Sequence, residues 1–310
     1  MPRTRSNIWT HASVTRRNQP RMKDRPASRP EGSRLHQSAG SPSSFHSTFD
    51  ESTQLVEGAA RQGRVWRHRP PVLIVGAHRS GTTATARALE LLGLQIGQHL
   101  DSHRESRPLQ KLHEDYLQRV GAAWYNPQPF LKWIGTAEGT QDCSSYLRTN
   151  VRRGFARIFG YRRNPKGLWL RVQFNFGARW GWKEPRTTLF APAWLEIFPE
   201  ARIVHVVRDA EAAASSIRER ELKFQAAGDP PTPNLADLNY CTQLVQTYLA
   251  AGEQLADSPN YQRLQFEELQ ADPPAMLERL GNFCDLRVAR RDLSAAAASI
   301  RPARVRSTFS

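Results

Sequence analysis

One stretch constrains this chain more than any other: Pro70-Pro71-Val72-Leu73-Ile74-Val75-Gly76-Ala77-His78-Arg79-Ser80-Gly81-Thr82-Thr83. Val72 to Val75 form an unbroken, largely β-branched apolar run bounded by proline and glycine. Such a run is a strand buried on both faces, as in a parallel sheet covered by helices. The loop that follows has the frame of a phosphate-binding P-loop, Gly76, four residues, then Gly81. Thr82 stands where that motif carries its lysine. Thr83 to Leu92 is rich in Ala and Leu and ends at Gly93, a pattern that predicts a helix with a C-terminal glycine. The loop is thus expected between a strand and a helix. Successive backbone N–H groups of Ser80, Gly81, Thr82 and Thr83 would face one concavity at the helix N-terminus, a donor set that suits an anion. Arg79 adds a full charge within the loop.

Other segments repeat the alternation of strand and helix. Arg202 to Val207, RIVHVV, reads as a second buried strand, and Asp209 to Phe224 as the helix after it. Arg179 to Lys183 reads as a short strand, Phe190 to Phe198 as a short helix, Tyr261 to Phe266 as a third buried or edge strand, and Pro273 to Leu286 as a helix. Leu109 to Val120 carries Leu109, Leu112, Tyr116, Leu117 and Val120 at helical spacing. The region to about Asn164 has no readable pattern. Together these predict a three-layer α/β domain with a central parallel sheet.

Residues 1–68 are rich in Arg, Ser and Pro without apolar periodicity, and are expected to be a disordered basic extension before a domain spanning 69–310. The chain of 310 residues carries a formal net charge of +15, of which residues before Pro70 supply 13 Lys and Arg against 5 Asp and Glu. The excess is therefore shared by extension and domain, and implies an anionic ligand. No RNA-binding signature, zinc-finger spacing or basic heptad array is present, so nucleic acid is not expected as a partner. Cys143, Cys241 and Cys284 are widely spaced and form no metal motif, so reduced thiols, a cytoplasmic protein and no metal are expected. No run reaches the length of a membrane-spanning helix, so no membrane anchor is expected.

A second anion-binding element is expected at Arg208, at the carboxyl end of a strand, where open α/β sheets bind ligands. Ser216 follows eight residues later on the next helix. An Arg fork there with a Ser hydroxyl suits a second phosphate. The alternative is a local pair between Arg208 and Asp209.

Taken together, HRSGTT and VVRDAEAAASS resemble the two nucleotide-binding elements of the sulfotransferase superfamily. GWKEPRTTLFAPAWLEIFPEARIVHVVRD and YQRLQFEELQADPPAMLERLGNFCDL are similar to other segments of its bacterial members, in the family's order from about Pro70 to Leu286. The resemblance implies 3′-phosphoadenosine 5′-phosphosulfate as donor co-substrate and transfer of its sulfuryl group to a hydroxyl acceptor, either carbohydrate, glycolipid or small molecule, releasing adenosine 3′,5′-bisphosphate. It implies that Arg79, Ser80, Gly81, Thr82 and Thr83 hold the 5′-phosphosulfate, and Arg208 with Ser216 the 3′-phosphate. No metal is implied. Glu114, in a segment that resembles the family's Phe-Glu-Asp element, is expected as the base ahead of Glu184. Lys183 is expected to stabilise the leaving oxygen. Phe266 stands where some members carry Tyr, and Arg301, Arg304 or Arg306 could close over the 3′-phosphate. Two other readings stay open: a P-loop kinase or NTPase, opposed by Thr82 in the lysine position, and a non-catalytic relative, opposed by Arg79.

Overall fold

The computed structural model describes residues 69–158, 167–169, 172 and 177–302. The expected extension, residues 1–68, and Arg304 and Arg306 lie outside the described residues. Four strands form one parallel sheet: β1 (Val72–Val75), β2 (Gly181–Lys183), β3 (Arg202–Val207) and β4 (Tyr261–Gln265), in the order β2-β1-β3-β4. Val72 pairs with Gly181 on one side and Arg202 on the other, and Val207 pairs with Gln265. The fold is α/β with helices on both faces of the sheet.

The alternation of side chains along each strand explains the layering. Leu73, Val75 and Ile203 face one core. Against them pack α2 (Arg107–Arg119), α3 (Gln128–Ile134), α4 (Ala137–Ile158), α5 (Thr187–Ile197), α6 (Ala210–Ala226) and α7 (Leu238–Glu253). Val72, Ile74, Val204, Val206 and Leu264 face the other core. Its helices are α1 (Thr82–Leu91), α8 (Phe266–Ala271), α9 (Pro273–Phe283) and α10 (Arg290–Ala298). All four residues of β1 have no exposed surface, as the apolar run requires.

The sequence expectations fall within a few residues of the observed elements, apart from the unassigned middle. That region folds as α3 and α4, and α7, like the short α8 and α10, had no sequence forecast. Their apolar faces are built from aromatics such as Phe130, Trp133, Tyr146 and Tyr248, spaced among Gly, Arg and Gln, so the helical period is diluted. Ring contacts take over from an aliphatic stripe: His113 stacks on Phe190 at 4.3 Å and Phe130 on the other side at 4.3 Å.

One buried polar residue of β3 sets a pH limit. His205 has no exposed surface, and its Nδ1 lies 2.7 Å from the Tyr261 hydroxyl. Gly252 of α7 leaves room for the ring: a Cβ there would stand 2.3 Å from His205 Nε2. Burial, with help from Arg263, lowers the His205 pKa to about 4. The unfolded value is about 6.5. Because the folded value is the lower one, the stabilisation is complete above about pH 6.5 and fades as pH falls toward 4. Denaturation at pH 7 and pH 4.5 should therefore show a loss of up to about 3 kcal/mol from this group. The slope should be shallower in His205→Asn, which keeps a partner for Tyr261 without a titrating ring.

Candidate active site

The carboxyl ends of β1, β2 and β3 open on one cavity of about 370 Å³. The loop after β1 forms its floor. Gly76 and Gly81 have φ of 143° and 96°, and Arg79 is also left-handed at 68°. A Cβ on Gly76 would come within 2.4 Å of the Val206 carbonyl, and one on Gly81 within 2.2 Å of the Phe266 ring. Both positions need glycine for space as well as for φ. Phe266, which begins α8, thus packs directly on the loop.

Gly81 begins α1 with no side-chain cap. Gly81, Thr82 and Thr83 line the cavity, so the N-terminal dipole end of α1 faces it. Ser80 departs from expectation. Its N–H and its hydroxyl both donate to the Ala77 carbonyl, at 3.2 and 2.8 Å, and its exposure is 1%. Ser80 therefore closes the turn from inside, and its donors do not face the concavity.

The two distant sequence elements meet at Arg79. Its Nε donates to Ser216 Oγ of α6 at 2.9 Å. Arg208, just past β3, donates from Nη1 to the Arg79 carbonyl at 3.1 Å. The pair that Arg208 could have made with its neighbour does not form. Asp209 instead caps α6, accepting from the Ala212 N–H at 2.8 Å, as a helix N-cap does. Arg208 and Arg301 both reach the cavity.

Lys183 ends β2 and projects into the same space from the sheet. Its Nζ donates to Glu105 Oε1 and to the His103 carbonyl, each at 2.9 Å. Glu105 is an acid of the cavity lining that sequence reasoning did not single out. It lies between α1 and α2 in a segment made by local turn chemistry. Asp101 Oδ1 accepts from the N–H groups of both His103 and Glu105 at 2.8 Å, an Asx-type arrangement. Arg104 between them is left-handed at φ 62° and pairs with Glu90 of α1. The signal was the spacing Asp101-x-His103-x-Glu105 after Gly97 in a polar stretch. Burial raises the Glu105 carboxyl above the usual range despite Lys183, and lowers His103.

The two carboxylates weighed as the base stand elsewhere. Glu184 has no exposed surface. Its Oε2 lies 2.5 Å from His113 Nδ1 and its Oε1 accepts from Arg186 Nη1 at 2.6 Å. Burial alone would raise its pKa; Arg186 and His113 outweigh burial and hold it far below the carboxylate range. Trp194 Nε1 donates to His113 Nε2 at 3.0 Å, so Nδ1 carries the proton that His113 gives to Glu184. Glu114 is 45% exposed and accepts from Arg186 Nη2 at 2.7 Å. Lys111, a possible partner for Glu114 one turn earlier, pairs with Asp115 instead. Glu184 and Glu114 are thus two acids of one structural network. Arg186 holds both carboxylates, and neither stands among the residues that line the cavity.

The model of the sulfotransferase family matches residues 70–290. The chain belongs to the sulfotransferase family. This sulfotransferase is 27% identical over 125 residues to the omega-hydroxy-beta-dihydromenaquinone-9 sulfotransferases of Mycobacterium bovis and Mycobacterium tuberculosis, covering 36% of this chain and 32% of each of theirs. The matched part is about a third of those relatives. Among solved structures, it resembles the sulfotransferase domain of the Synechococcus PCC 7002 olefin synthase, with 15% identity, TM-score 0.44, and coverage of 75% of this chain and 78% of that one. It likewise resembles a Mycobacterium tuberculosis H37Rv sulfotransferase, with 17% identity, TM-score 0.44, and coverage of 79% and 75%. Family membership removes the kinase reading. Among the described residues, no helix is long and apolar enough to cross a membrane.

Proposed function

We propose that the protein transfers the sulfuryl group of 3′-phosphoadenosine 5′-phosphosulfate to a hydroxyl acceptor, with Glu105 as general base. One observation carries this reading. A buried carboxylate, a buried ammonium and an uncapped helix N-terminus open on a single cavity, with Arg79 joined to Arg208 and Ser216 at its edge. Each has a distinct task. The amides of Gly81, Thr82 and Thr83 with Arg79 bind the 5′-phosphosulfate. Arg208 and Ser216 bind the 3′-phosphate.

The acceptor hydroxyl attacks sulfur in line. A new S–O bond forms as the bond from sulfur to the bridging oxygen breaks. Glu105 takes the acceptor proton, and burial, by raising its pKa, strengthens it as a base. Lys183 offsets the negative charge that grows on the bridging oxygen, a form of electrostatic stabilisation. The hydrogen bond between them holds both side chains before substrate arrives. Three buried, unpaired cysteines support a reducing, cytoplasmic setting. The acceptor is a small molecule or a carbohydrate.

Calorimetry of the full chain with adenosine 3′,5′-bisphosphate tests the donor site. Binding is expected without added metal. Arg208→Ala is expected to weaken it about 10- to 100-fold, the loss of a charge-assisted hydrogen bond to phosphate. Equal affinity in the variant, or preference for ATP, would remove the donor reading.

A further inference from the structure

The cavity holds more positive charge than its donor needs. Its lining includes the cations Arg79, Arg87, Lys183, Arg208, Arg220 and Arg301, with Glu105 as the acid. A donor with a fully ionised 3′-phosphate brings roughly four negative charges. With Glu105, that leaves one cation over. Of the cations with no partner assigned above, Arg87 is exposed at the rim, and Arg220 is the one held between rings.

Arg220 lies on α6, one turn beyond Ser216, and so on the same helix face. Its guanidinium sits over two rings, 5.7 Å from the Trp124 centroid and 5.9 Å from that of Phe224. Among the described residues it makes no ion pair and no hydrogen bond. Ring contacts hold the plane of the fork and leave its N–H groups for a ligand. Burial, and next to it the charge of Arg79, disfavours its charge, while Glu105 and Glu221 support it. An anion arriving there would relieve an arginine that the protein itself does not pair.

An aromatic cluster lies beside Arg220, and within it His78 reaches the cavity. His78 lies tilted against Trp124 at 4.4 Å and meets Tyr248 edge-on at 5.7 Å. His78 is 7% exposed, lines the cavity, and has no partner for its buried Nε2 among the described residues. The Trp124 and Tyr125 segment is fixed from behind: Tyr248 Oη donates to the Trp124 carbonyl at 3.0 Å and Tyr240 Oη to the Tyr125 carbonyl at 2.7 Å.

Building on the donor and base assignment above, we propose that Arg220 is the specificity-determining residue of the acceptor side. It binds a carboxylate, phosphate or sulfate carried by the acceptor, while the His78 ring packs against an aromatic or apolar body and the hydroxyl faces Glu105. The enzyme therefore selects acceptors that are already anionic.

A matched pair of probes separates charge from shape: 4-hydroxyphenylacetate and its neutral amide, 4-hydroxyphenylacetamide. Each is titrated into the full chain saturated with adenosine 3′,5′-bisphosphate, and each is assayed as acceptor with the sulfuryl donor. The acid is expected to bind about tenfold or more tighter than the amide. Arg220→Gln should erase that preference and leave the affinity for the bisphosphate unchanged. Probes that bind equally or not at all to the unaltered protein would overturn the proposal, as would a preference that survives the substitution. An equal fall in turnover with both probes would make Arg220 a contact of the sulfuryl group and overturn it too. Failure of the unaltered protein to bind the bisphosphate is a different result, and sinks the donor assignment instead.

Discussion

Glu105→Gln is expected to slow sulfuryl transfer about 10²- to 10⁴-fold, the usual contribution of a positioned general base, with little change in affinity for adenosine 3′,5′-bisphosphate. The amide keeps an oxygen for Lys183, whose bond to Glu105 is 2.9 Å long. The cavity should therefore keep its form while losing its proton acceptor. The pH dependence carries a second signature. Burial raises the Glu105 carboxyl, so turnover per bound acceptor should climb with pH through a value above the ordinary carboxylate range, and that limb should vanish in the variant. Glu114→Gln is the control. Its carboxylate sits on Arg186 and outside the cavity, so it should leave the acidic limb in place. A full loss of turnover in Glu114→Gln with Glu105→Gln still active would reverse the assignment.

The largest effect on stability is expected from Arg186→Met. Arg186 is 3% exposed and bonds both Glu184 and Glu114. Its removal leaves the fully buried Glu184 with His113 alone. Breaking a buried pair from one side typically costs about 3–5 kcal/mol, because the remaining charge stays desolvated. For a domain of this size that corresponds to a melting temperature lower by roughly 6–20 °C. Adding Glu184→Gln should recover part of the loss, since the two residues share one network and their effects do not add. Denaturant unfolding of the two single variants and the double variant measures the coupling. Additive losses would show that the network is not a unit. Turnover should fall as well, since Glu184 follows Lys183 directly and Pro185 lines the cavity.

Much of this was legible in the sequence because it rests on local patterns. Val72 to Val75 and Arg202 to Val207 are apolar on both faces, and the structure buries both in the sheet. The meeting of Arg208 and Ser216 at Arg79 was legible only as spacing, since helix geometry places Ser216 two turns in from the strand end. The proposed base was not legible in that way. Glu184 adjoins a cavity lysine in sequence, but strand alternation turns successive side chains to opposite faces. Lys183 enters the cavity and Glu184 the core. Glu105 lies in a turn whose shape depends on Asp101 and a left-handed Arg104, and such bonds leave no periodicity. Ser80 shows the same limit on a smaller scale: a hydroxyl in a phosphate loop can serve the ligand or the loop, and the residue type is the same for both.

The ties of Tyr240 and Tyr248 to the Trp124 and Tyr125 segment end on main-chain carbonyls. The backbone of the segment beside Arg220 is therefore held independently of which side chains stand on it. Residues 124 and 125 are free to change identity under selection without shifting the backbone that carries them. In the proposed reading, the acceptor side can thus change by exchanging the panels while the posts stay in place and the donor side is left as it is.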